Sequence, residues 1–144
     1  MKVIKLFCAS TLMLIATMAL ALLASPVAAN GGVELEISIK PDGSPNTINT
    51  QANGYIPVGI MSSYTFDVYT IDVTTLQFGP LDAAPAHRAG GHIEDVNGDG
   101  LLDIVSHYAT QETGIVPGDT EACVTGATFD GIFFWGCDAI RTRP

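Results

Sequence analysis

Strict alternation of apolar and polar residues marks Val33-Glu34-Leu35-Glu36-Ile37-Ser38-Ile39. It puts Val33, Leu35, Ile37 and Ile39 on one face of a strand packed on one side and wet on the other. Pro41 to Asn53 is rich in turn residues and ends it. Tyr55-Ile56-Pro57-Val58-Gly59-Ile60-Met61 resumes extended structure. Pro57 cannot donate to a ladder there, which predicts an edge strand or a strand start. Further strands are expected around Phe66 to Ile71 and Thr75 to Phe78, and Gly79 to Gly91 reads as the longest loop. No stretch after residue 30 carries the 3.6-residue period of a helix, and no repeat of fixed period is visible. The pattern predicts one all-β domain, an antiparallel β-sandwich-like fold.

The C-terminal third is the most specific. Cys123 to Thr128 and Ile132 to Cys137 flank Asp130-Gly131, a strong hairpin signal. A three-residue connection, Phe129-Asp130-Gly131, with Gly131 in the left-handed region sets Thr128 opposite Ile132. Counting back along that register sets Cys123 opposite Cys137, whereas a two-residue turn misses the pairing by one position. Turn chemistry and cysteine spacing therefore agree on a disulfide-stapled hairpin. A site using both thiolates for metal is the runner-up, but no nearby cysteine or histidine completes a zinc set.

The first residues change the picture of where the domain works. Lys2 and Lys5 precede an apolar run from Leu6 to Leu23, and Val27 and Ala29 stand at the −3 and −1 positions of a signal-peptidase site. Residues 1–29 are read as a signal peptide and residues 30–144 as the mature domain; an uncleaved membrane anchor is the alternative. The expected location is extracellular or periplasmic, with no membrane association after cleavage. Once Lys2 and Lys5 leave, four bases (Lys40, Arg88, Arg141, Arg143) face all 15 acids. A surface that acidic disfavours nucleic acid and anionic lipid as partners.

One segment carries chemistry: Asp95-Val96-Asn97-Gly98-Asp99-Gly100-Leu101-Leu102-Asp103. Asp95, Asn97 and Asp99 place side-chain oxygens on alternate residues, and Gly98 and Gly100 let the backbone curl tightly. The carbonyl of Leu101 supplies a seventh-position ligand and Asp103 a ninth. Three carboxylates, an amide and a peptide oxygen suit calcium, a hard cation of high coordination number, better than magnesium. The twelfth position is Ser106, where an EF-hand needs a bidentate Glu, and Ile104 to Tyr108 looks like a strand.

This segment resembles the DxNxDGxxD loops of FG-GAP and integrin-type repeats, and thrombospondin type 3 and dockerin loops share its first part. The resemblance implies a strand-flanked calcium site with Asp95, Asn97, Asp99, Leu101 and Asp103 as ligands. More broadly, Ile39-Lys40-Pro41 through Pro45-Asn46, Ile56-Pro57-Val58 and Gly118-Asp119-Thr120 resemble a small β-domain of multidomain secreted microbial proteins. That group implies a fold and a compartment but no reaction.

Other constellations are weaker. No HExxH spacing accompanies His87, His92 and His107, which read as satisfied surface or edge-strand side chains. No GxSxG anchors a serine nucleophile. Phe133 and Trp135 alternate with Ile132 and Phe134, so one set is core and the other a possible platform for a sugar or partner protein. The expectation is a secreted, non-catalytic calcium-binding module for adhesion or protein–protein contact. The alternative is a carbohydrate-binding module using the hairpin aromatics, and an uncharacterised enzyme comes third.

Overall fold

Short runs rich in β-branched and aromatic residues, each cut by Gly, Pro, Asn or Asp, fold into ten strands among the described residues. The computed structural model describes residues 31–41 and 43–144; the leader assigned to residues 1–29 lies outside them. The strands are β1 (Val33–Glu34), β2 (Ile37–Ile39), β3 (Thr47–Asn49), β4 (Tyr55–Ile60), β5 (Ile71–Phe78), β6 (His92–Glu94), β7 (Asp103–Ala109), β8 (Glu121–Thr128), β9 (Phe133–Ala139) and β10 (Arg141–Arg143). One sheet has the order β1-β9-β8-β5 and the other β2-β4-β7-β6, with β10 and β3 forming a small separate pair. The all-β, sandwich-like expectation holds. Among the described residues no helix is long and apolar enough to cross a membrane.

Alternation decides what lies between the sheets. Ile39, Val58, Ile60 and Tyr108 meet Leu76, Phe78, Val124 and Phe134, and each of the eight is at most 1% exposed. The rings of Phe78 and Tyr108 bridge the sheets with centroids 5.0 Å apart. Burying side chains of this size contributes about 1.5–3 kcal/mol each before entropy is counted.

Val33 to Ile39 corrects one expectation. The alternation is real, with Leu35, Ile37 and Ile39 buried, but the segment is two strands in different sheets. β1 runs parallel to β9, and the Leu35 amide still donates to Trp135 O at 2.8 Å. One residue later the Glu36 carbonyl accepts from Met61, and β2 pairs with β4. Gly136 makes this crossing possible, since a Cβ there would lie 2.5 Å from both Leu35 O and an Ile37 methyl. The β10–β3 pairing is parallel as well, so the architecture is antiparallel only in its main ladders.

Two further expectations shift. Pro57 lies inside a four-stranded sheet, yet it faces the place where β2 stops. Its carbonyl accepts from Lys40, and Lys40, at φ 52°, turns its own carbonyl to Gly43. The missing proline amide thus costs no ladder bond to β2. Phe66 to Thr70 is a bridge and a 3-10 turn rather than a strand, and β5 begins only at Ile71. Asp67 caps that turn, its carboxylate accepting from the Tyr69 amide at 2.9 Å.

The hairpin follows the expected register in full. Thr128 N donates to Ile132 O at 2.9 Å, Gly131 N to Thr128 O at 2.8 Å, and Cys123 pairs with Cys137 and is bonded to it. Gly131 has φ 79° with nothing within 4 Å of a Cβ placed on it. Gly131→Ala therefore meets only backbone strain, and a urea melt is expected to show a loss of about 1 kcal/mol. No loss at all would mean that the left-handed position is not needed.

Candidate metal site

β6 and β7 form a ribbon whose register ends with Glu94 opposite Asp103. The candidate ion loop, residues 95–102, is its connection. Strands, not helices, flank the loop, as read from Ile104 to Tyr108.

The loop is curled by its own side chains. The Asp95 carboxylate accepts from the amides of Gly98 at 2.8 Å, Asp99 at 3.2 Å and Gly100 at 3.0 Å. Asn97 Oδ1 accepts from the Asp99 amide at 3.0 Å, and Asp99 Oδ1 from Leu101 at 2.8 Å. Gly98 and Gly100 take φ 76° and 87°, the left-handed values such a curl requires. Asp95, Asn97 and Asp99 lie at the surface. The Leu101 carbonyl accepts no hydrogen bond among the described residues.

Asp103 is different: it is wholly buried. Oδ2 accepts from Val96 N at 2.9 Å and Oδ1 from Ser62 N at 2.8 Å. Ser62 Oγ returns a bond to Leu102 O at 2.6 Å. The carboxylate therefore ties both ends of the loop to the residues just after β4, and the Val96 side chain covers Gly59 on the outer face of the sheet. No lysine or arginine lies within 4.0 Å of it; among the described residues the one ion pair is His92–Glu94, at 3.4 Å. The curl gathers Asp95, Asn97 and Asp99, but the three loop carboxylates do not converge within 4.8 Å of one another. The group that does, Glu121 with Cys123 and Cys137, contains two sulfurs bonded to each other and offers no thiolate.

The histidines correct another expectation. Strand β7 sends Ile104 and Tyr108 into the core, which turns Asp103, Val105 and His107 outward. The β6–β7 register places His92 on that same outer face, opposite Val105 and diagonal to His107. Ala86 N donates to His107 O at 2.8 Å, extending the ribbon and bringing His87 alongside. His107 is therefore flanked by His92 and His87, with ring centroids 5.6 and 5.9 Å away. Its Nδ1 is buried without a hydrogen-bond partner, so the reading of three satisfied histidines fails. The hairpin register of the ion loop could have revealed the His92–His107 diagonal, but nothing local placed His87.

The aromatics divide as alternation requires. Phe134 is core, while Phe133 and Trp135 face outward and stack with centroids 6.2 Å apart. The backbone of Gly32 lies across them, since a Cβ there would come within 2.7 Å of both rings. A groove of about 430 Å³ runs beside the end of the ion loop, lined among others by Tyr64, Tyr69, Leu101 and Leu102. No protein-family model matches the chain, and no curated protein matches it.

Proposed function

We propose that the domain is an exported, non-catalytic calcium-binding module whose ion serves mainly to hold the fold, and which acts in adhesion or contact with other proteins. The observation that carries the calcium reading is Asp103, a fully buried carboxyl group without a basic partner, beneath a loop of acidic side chains. Its two amide hydrogen bonds offset part of the cost of burying such a group, and a cation would offset more. Calcium held by Asp95, Asn97, Asp99, the Leu101 carbonyl and Asp103 would provide that compensation with oxygen ligands alone. Export rests on the leader pattern of residues 1–29, and the cysteine staple is compatible with an oxidising compartment.

Extracellular calcium modules bind with dissociation constants around 0.1–1 mM. At about 1 mM calcium and a constant of ~0.1 mM, binding adds roughly 1.4 kcal/mol. For a domain of this size that raises Tm by about 6 °C. The check is a thermal melt in calcium against chelator, paired with calorimetric titration; an absence of both heat and Tm shift sinks the reading. Magnesium at equal concentration should do much less.

A second reading rests on the outward Phe133–Trp135 pair, of which Phe133 keeps an exposed ring face beside the Gly32 backbone. Quenching or a blue shift of Trp135 fluorescence on adding oligosaccharides would support it. A spectrum unmoved by every glycan on an array would remove it.

A further inference from the structure

All three histidines of the chain meet on the outer face of the β6–β7 ribbon, apart from the oxygen ligands of the loop. His107 stands between His92 and His87. Two imidazoles bound to one tetrahedral zinc, at 2.0–2.1 Å per Zn–N bond, have ring centres about 5 Å apart. The observed 5.6 and 5.9 Å approach that spacing for the two pairs that include His107, and rotamer changes of His87 and His92 would bring the third pair together. As they stand, no three ligand atoms from these histidines and Glu94 lie within 4.8 Å of one another. His87 and His92 are exposed, so they can change rotamer without disturbing the core.

Two more observations point the same way. His107 Nδ1 is closed off from solvent and unpartnered among the described residues. An unpaired buried polar atom costs about 1–3 kcal/mol, and a metal ion at this nitrogen would remove that deficit. Glu94 Oε1 lies 3.4 Å from His92 Nε2. A carboxylate on one ring nitrogen fixes the ring and leaves the other nitrogen to coordinate, as in carboxylate–histidine–zinc arrangements.

We propose that His87, His92 and His107, with Glu94 orienting His92, form a second metal site, selective for a divalent transition ion of the zinc class over calcium. Imidazole favours such ions, whereas calcium takes oxygen ligands, so the two sites divide the metals between them. Burial of the His107 ring, followed by the neighbouring His92 and His87, lowers its pKa below the ordinary histidine value, against the opposing effect of Glu94. The site does not depend on the calcium reading, because none of its residues is a proposed calcium ligand.

The experiment is a titration of the exported protein with zinc chloride in 1 mM calcium, read by calorimetry and by the histidine ring resonances in NMR spectra. One zinc per chain is expected, with all three sets of ring signals shifting together. His92→Gln and His107→Gln should each weaken zinc binding more than about tenfold, and Glu94→Gln by roughly tenfold. His92 is exposed, so His92→Gln should keep the parent Tm in chelator and serves as the variant free of folding effects. An absence of zinc heat, a shift confined to one histidine, or unchanged affinity in His92→Gln would each overturn the site. Calcium binding should survive all three substitutions.

Discussion

Replacing Cys123 and Cys137 together by serine should remove about 3 kcal/mol of stability and lower Tm by roughly 12 °C. The two cysteines are 14 residues apart, and closing a loop of that size restricts the unfolded chain by this amount in the chain-entropy model. Contact loss should add little. Cys123 is half-buried and Cys137 exposed, both on the outer face, while Val124, Phe134 and Gly136 of the same strands point inward. Serine in their place leaves no cavity in the core, so the variant isolates the effect of the crosslink. The loss is large against a typical total of 5–15 kcal/mol. It also falls at the centre of a sheet, because β8 and β9 carry β5 and β1 on their other edges. Reductant should lower the parent Tm to that of the double-serine variant and leave the variant itself unmoved. A variant melting within a degree or two of the parent would show that the hairpin holds without its staple.

The second large effect is expected at Asp103. Asp103→Ala removes the acceptor for two amides, Val96 N and Ser62 N. Each unpaired buried donor costs about 1–3 kcal/mol, so a loss of about 3 kcal/mol is expected even in chelator. Asp103→Asn keeps one carbonyl oxygen but turns an amino group toward the other donor, and should lose about half as much. Calcium separates the two roles of the residue. If Asp103 is also a ligand, the calcium-dependent rise in Tm disappears in both variants. A rise of parent size in Asp103→Asn would leave Asp103 as a strut only and remove it from the ligand set. A loss below about 1 kcal/mol for Asp103→Ala in chelator would contradict the strut role.

These two sites differ in how far they could be read from the chain. Asp130-Gly131 and the cysteine spacing specify the hairpin locally, because a turn type fixes register and register fixes which cysteines face. The curl at Asp95 to Gly100 is equally local, built from side chains bonding amides two to five residues on. The 3-10 turn is local too, capped by Asp67 at its start, but the β-rich composition of Phe66 to Ile71 reads as a strand. Asp103 was legible as a candidate ligand, whereas its burial was not, since Ser62 comes from 41 residues earlier.

By itself the sequence determined which side of each strand is apolar, where the hairpin turns, and where the loop from Asp95 to Gly100 curls on its own side chains. Periodicity, turn chemistry and side-chain bonds to nearby amides act over a few residues, so they are written directly in the chain. Only the tertiary structure decided that Val33 to Ile39 changes sheets at Leu35 and that Pro57 faces the end of β2. It alone set His87 beside His107 through the Ala86 amide. Those choices depend on which distant backbone group accepts or donates each hydrogen bond, and every backbone looks alike until packing brings one into reach.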